Sequence, residues 1–188
     1  GFRDSLSIDG PFDLLGYSIG GGIAAHYVVE HAERIRRLIL LAPYFYETST
    51  DDFNEIFDGK MWRKITAWET LDEMKLFFNH RLGLLSKDTP PGLIMHGLNA
   101  LRSELYPQGY WSKFYDSFSV ECEESNSFLK DNRDSLHKLT CPTLLFTGKG
   151  DTICDPNKLA SLQDIFNPDF FAFISLESGH FFGPKGDT

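Results

Sequence analysis

Cysteine is scarce in this 188-residue chain, with three residues, Cys122, Cys141 and Cys154, at no C-x-x-C spacing. An odd, scattered set shows neither a disulfide framework nor a zinc-finger spacing, and it fits free thiols in a reducing compartment. Cations are outnumbered: 18 Lys and Arg against 27 Asp and Glu leave a net charge of −9. Phosphate backbones are bound by clustered Lys and Arg, and the only short basic cluster, Arg34 to Arg37, reads as a helix end. Nucleic acid is therefore not an expected partner. No apolar run approaches the ~20 residues that span a bilayer. Internal repeats and low-complexity tracts are absent, and the sequence gives no reading of localisation or of membrane association by other means.

What is present has ordinary globular proportions. Hydrophobic residues at 41% and charged residues at 24% support one domain, or one domain with an insertion, around a substantial core. The 17 phenylalanines suit an apolar interior or an apolar pocket.

The most informative stretch is Gly16-Tyr17-Ser18-Ile19-Gly20, which fits G-x-S-x-G. Before it, Phe12 to Leu15 is a short apolar run of strand type; after it, the chain to about His31 reads as helix. A serine between a strand end and a helix start sits on a sharp turn with its hydroxyl presented outward. Small neighbours suit the crowded turn, since glycine has no Cβ to clash, and the helix N-terminus favours developing negative charge. Two phosphate-binding readings compete. Gly20-x-Gly22-x-x-Ala25 formally matches a dinucleotide fingerprint, but Tyr17 and Ser18 intervene after the strand and residues 38–46 lack the required acid. A P-loop would end in Gly-Lys-Ser/Thr, which is missing.

The chain then continues as a strand over Arg36 to Ala42, read as apolar and buried on both faces, and strand–helix–strand implies a parallel sheet. Residues 47–138 change rhythm, with apolar residues at helical spacing (Met61, Ile65, Trp68; Leu71, Met74, Phe78) and dense aromatics. Strand character returns in Pro142 to Gly148 and in Phe170 to Leu176, and Asp155-Pro156 reads as a helix cap with proline at the first helical position. The expected organisation is a core part over 1–46, a helical lid over 47–138 and a second core part over 139–188.

Asp151, in Gly148-Lys-Gly-Asp151, follows one strand, and His180, in Glu177-Ser-Gly-His180, follows the next. Ligands of open α/β sheets bind at such strand ends. A serine hydroxyl needs a base to take its proton, and histidine titrates in the right range; a carboxylate fixes the imidazole tautomer. Ser18, Asp151 and His180 are therefore the expected catalytic set. Asp151 as a plain turn residue, and Asp155 as the acid, are the competing assignments.

On these residues the chain resembles the α/β-hydrolase fold serine hydrolases. The matching pieces are Leu14-Leu-Gly-Tyr-Ser-Ile-Gly-Gly22, Pro142-Thr-Leu-Leu-Phe-Thr-Gly-Lys-Gly-Asp151 and Ser178-Gly-His180. The resemblance implies an α/β fold with a mostly parallel sheet, helices on both faces and a helical lid, here vaguely like that of monoacylglycerol-lipase-like members. It implies Ser18 as nucleophile, Asp151 as acid, His180 as base and the Ile19 backbone N–H as one oxyanion donor, with no cofactor and no metal. The family's early strands and its His-Gly loop, source of a second oxyanion donor, have no counterpart here, so the N-terminal strands are expected to be missing. The expected activity of the parent protein is hydrolysis of a small ester with an apolar acyl part through an acyl-enzyme. The alternative is a ligand-binding or inactive member of the same fold.

Overall fold

The computed structural model describes residues 10–51, 127–180 and 182. Most of the expected lid, with Cys122, lies outside the described residues. Four strands, β1 (Phe12–Tyr17), β2 (Ile35–Leu41), β3 (Thr143–Gly148) and β4 (Phe171–Leu176), form a wholly parallel sheet in the order β1-β2-β3-β4. Helix α1 (Ile19–Glu30) joins the first two strands. Two short helices, α2 (Phe128–Asp131) and α3 (Arg133–His137), precede β3, while α4 (Pro156–Ala160) and a 3₁₀ turn (Ser161–Asp164) lie between β3 and β4.

Register explains which face became the core. Leu14, Leu38, Thr143 and Phe171 stand in one row across the sheet, and Gly16, Leu40, Leu145 and Phe173 follow the same face. Leu38, Leu40 and Leu145 are completely buried there. Helix α1 lies on this face, with Ala24, Ala25 and Val28 turned inward, and Leu159, Leu162 and Phe166 join the same cluster. The opposite row is more open: Leu15 and Ile174 are exposed. Strand β2 is accordingly not buried on both faces as its composition suggested. It begins one residue earlier, at Ile35, and its Arg36 and Arg37 are exposed beside Asp13.

The strand and helix ends follow local chemistry. Asp155 caps α4, its Oδ1 accepting from the backbone N–H groups of Asn157 and Lys158 at 2.8 and 3.4 Å, with Pro156 at the first helical position. The loop after β2 is tied to the loop after β3: Thr50 N–H donates to Ile153 O, and Asp155 N–H donates to Thr48 O. Glu47 reaches the far end of the sequence insertion, its Oε1 accepting from Leu129 N–H at 2.8 Å.

Candidate active site

Ser18 stands between the last residue of β1 and the first of α1, with φ 53° and ψ −123°. A non-glycine residue in this sparsely populated region stores on the order of 1–3 kcal/mol, and the surroundings must hold it there. They do so through its backbone. Ser18 N–H donates to Leu41 O at 2.9 Å, and Ser18 O accepts from Gly21 N–H and Tyr44 N–H, both at 2.8 Å. A serine preceding a helix ordinarily turns its hydroxyl back to cap the first turn. Here it makes no cap hydrogen bond, and Oγ lies 3.0 Å from His180 Nε2 instead.

The turn is tight because glycine permits close approach at particular points. A Cβ on Gly16 would come within 2.3 Å of Gly20 O and 2.7 Å of Gly21 Cα. One on Gly21 would meet Pro43, and one on Gly22 would meet Tyr44 O at 2.5 Å. Gly20, the closing glycine of the motif, faces open space. The crowding expected throughout the motif therefore falls on Gly16 and on the two glycines beyond it.

The acid and the imidazole arrive on neighbouring loops. Asp151 follows β3 and His180 follows β4, and these loops meet because Gly148 has no side chain: a Cβ there would sit 2.3 Å from Gly179 O and 2.4 Å from Ser178 O. Gly150 N–H then donates to Ser178 O at 2.9 Å. Asp151 and His180 are both 5% exposed, so their mutual geometry is fixed by protein rather than by solvent. Asp151 Oδ2 lies 2.9 Å from His180 Nδ1, while Oδ1 accepts from the N–H groups of Ile153 and Cys154, each at 2.9 Å. These two N–H groups hold Oδ1 and leave Oδ2 turned toward the imidazole. Asp155 is occupied with capping α4, away from this chain of contacts. Ile19 opens α1, so its backbone N–H belongs to the first helical turn, whose donors have no intrahelical acceptor.

One further residue joins the group unannounced by the motif's fixed positions. The Tyr17 hydroxyl donates to His180 O at 3.2 Å, and its ring lies 5.4 Å from the imidazole, tilted by 34°. Burial, reinforced by the negative charge of Asp151, pushes the Tyr17 hydroxyl up to about 12, so it stays a donor at working pH. Cys154 lies beside Asp151, fully buried, its thiol donating to Ala42 O at 3.6 Å.

Comparison with known proteins agrees with this architecture. Residues 2–186 match the family model described as alpha/beta hydrolase fold. A pimeloyl-[acyl-carrier protein] methyl ester esterase of Neisseria meningitidis serogroup B (strain MC58) is 28% identical over 155 residues, 81% of this chain and 55% of that protein. This chain thus spans about half the length of the curated relatives it matches. Among solved structures, a meta-cleavage product hydrolase from Pseudomonas fluorescens IP01 superposes with a TM-score of 0.66 at 20% identity, covering 96% of this chain and 61% of the other. A thermophilic esterase from Thermogutta terrifontis superposes with a TM-score of 0.61 at 20% identity, over 96% and 61% of the two chains.

Proposed function

The chain belongs to the α/β hydrolase fold family, and from that premise we propose that the protein is a serine hydrolase of carboxylic esters, with Ser18 as nucleophile, His180 as base and Asp151 as the acid that orients it. The observation that carries the reading is the continuous hydrogen-bonded line from Ser18 Oγ through His180 Nε2 and Nδ1 to Asp151 Oδ2, at 3.0 and 2.9 Å. The departure of the Ser18 hydroxyl from its usual capping position supports it, since the side chain serves the imidazole rather than the helix.

In this mechanism Asp151 accepts from Nδ1–H, which leaves the Nε2 lone pair facing Ser18 Oγ. As Oγ attacks the ester carbonyl carbon, its proton passes to Nε2, and Asp151 stabilises the imidazolium so formed. The tetrahedral oxyanion is met by the Ile19 N–H and the positive end of α1. Collapse breaks the bond to the alkoxide, which leaves with the proton from Nε2 and makes an ester on Ser18. Water then repeats the sequence, giving its proton to His180 and releasing the carboxylic acid as Ser18 regains its own. Charge develops beside donors already in place, which is where most of the acceleration of such enzymes originates.

For the substrate we infer a small ester with an apolar acyl part. The relative that acts on the methyl ester of a pimeloyl-carrier supports the ester class, and the aromatic density of the chain suits an apolar acyl group. Reaction with a fluorophosphonate probe tests the assignment. Labelling of the wild type that disappears in Ser18→Ala is expected; an unlabelled wild type, or labelling that persists in the variant, would overturn it.

A further inference from the structure

Cys154 has no place in the hydrolytic sequence, yet its buried thiol lies beside the base and the acid that orients it. Asp151, Cys154 and His180 each offer one ligand atom, and all of these atoms lie within 4.8 Å of one another. A tetrahedral zinc ion, with Zn–S near 2.3 Å and Zn–N and Zn–O near 2.0–2.2 Å, spaces its ligand atoms by roughly 3.3–3.8 Å. Side-chain adjustments of about 1 Å would bring the three atoms onto one ion. The set is a thiol, an imidazole and a carboxylate, the combination that selects a borderline-soft divalent cation such as Zn²⁺ or Cd²⁺ over Mg²⁺ or Ca²⁺.

We propose that Asp151, Cys154 and His180 form an inhibitory site for a thiophilic divalent cation, which switches the enzyme off by reversing the tautomer of His180. The inference rests on the reading of His180 as base. In the working arrangement Nδ1 carries the proton and donates to Asp151 Oδ2, and Nε2 is the acceptor facing Ser18. A metal ion between Asp151 and His180 must take the Nδ1 lone pair. The imidazole, still neutral, then carries its proton on Nε2, where it donates toward Ser18 Oγ and can no longer accept from it. The base is blocked without the metal touching the nucleophile.

The balance of charge favours the same arrangement. Without a metal the Cys154 thiol is an S–H donating to Ala42 O. A bound cation deprotonates a coordinating thiol outright. One proton leaves, from Cys154; the imidazole proton only changes nitrogen. A dication with one carboxylate and one thiolate is a neutral unit, which a buried site accommodates far better than an uncompensated charge. The fourth coordination position falls to water, as in sites with three protein ligands.

The test uses cadmium alone, because its thiolate bond gives an ultraviolet charge-transfer band that reads binding independently of turnover. The wild type is expected to show the band with release of about one proton per ion, and to lose ester hydrolysis along the same saturation curve, restored by EDTA. Cys154→Ala and Cys154→Val, each compared with its own metal-free rate and checked for folding by circular dichroism, should lack the band. The cadmium concentration for half-inhibition should rise at least about 100-fold in both. Ser18→Ala should keep the band in full, since Ser18 is not a ligand; this arm stands even if the protein hydrolyses no ester. A wild type without the band, or inhibition unchanged in both Cys154 variants, would overturn the proposal.

Discussion

Replacing each glycine of the elbow motif by alanine separates the physical roles that the sequence pattern merges. A methyl group on Gly16 would lie 2.3 Å from Gly20 O, 2.7 Å from Gly21 Cα and 2.8 Å from Ala24 Cβ. Carbon atoms in good contact sit roughly 3.5–4.0 Å apart, so helix α1 must retreat by about 1 Å from β1. Two of the three obstacles are backbone, which has no rotamer to change. Overpacking typically costs about 1–3 kcal/mol, and a clash with backbone places Gly16→Ala at the upper end, about 3 kcal/mol. Gly20→Ala meets nothing within 4 Å. It lies in the first turn of α1, where the helix preference of alanine over glycine contributes up to about 1 kcal/mol in its favour. With a urea dependence near 2 kcal/mol per molar, Gly16→Ala should lower the unfolding midpoint by about 1.5 M, and Gly20→Ala should leave it unchanged or raise it slightly. Equilibrium urea unfolding followed by far-ultraviolet circular dichroism reads both. Equal losses in the two variants, or a Gly16→Ala midpoint within error of the wild type, would refute the packing argument.

Two further outcomes follow from the site and a third from the fold around it. Asp151→Asn should cut kcat by about 10⁴-fold in an ester-hydrolysis assay, because an amide facing Nδ1 favours the wrong tautomer while the packing is kept. Tyr17→Phe removes the hydroxyl that donates to His180 O but leaves the ring beside the imidazole; steady-state kinetics should show kcat reduced by about 5- to 10-fold, roughly one hydrogen bond, with KM unchanged. Burial pushes the Glu47 carboxyl above its ordinary value of 4.5, with the backbone N–H groups of Leu129 and Lys130 only partly offsetting this. A raised carboxyl means the native state binds more protons than the unfolded chain, so its penalty is full above the folded pKa and vanishes below the unfolded one. Melting temperatures of wild type and Glu47→Gln should therefore converge or cross in favour of the wild type as pH falls through 4.5, and diverge in favour of the variant toward neutrality.

Local chemistry made much of this protein legible from sequence. The apolar run before Ser18, the small-residue helix after it and the Asp155-Pro156 cap each reflect interactions among near neighbours, and the structure places β1, α1 and α4 accordingly. The family and its parallel sheet were readable because the motif and two strand-end loops are short and chemically distinctive. Strand β2 was read as doubly buried from its leucines, but burial depends on what covers each face, and Arg36 and Arg37 pair with Asp13 on the open one. The second motif glycine looked as constrained as the first; only the path of α1 shows that Gly16 is crowded and Gly20 is not. The contributions of Gly148, Tyr17 and Cys154 were hidden for the same reason. Gly148 is needed by a loop some thirty residues later, Tyr17 by a carbonyl at the other end of the chain, and Cys154 stands next to Asp151 only because the loop folds back to hydrogen-bond that carboxylate.

The most direct test of the account is to catch the covalent intermediate. Rapid acid quench of the protein reacting with a p-nitrophenyl ester, followed by intact-mass and peptide analysis, should show a population carrying the mass of one acyl group, mapped to the peptide that contains Ser18. The adduct should vanish in Ser18→Ala, together with turnover. Turnover with no acyl group on Ser18, or hydrolysis that survives in Ser18→Ala, would contradict the assignment of Ser18 as the nucleophile.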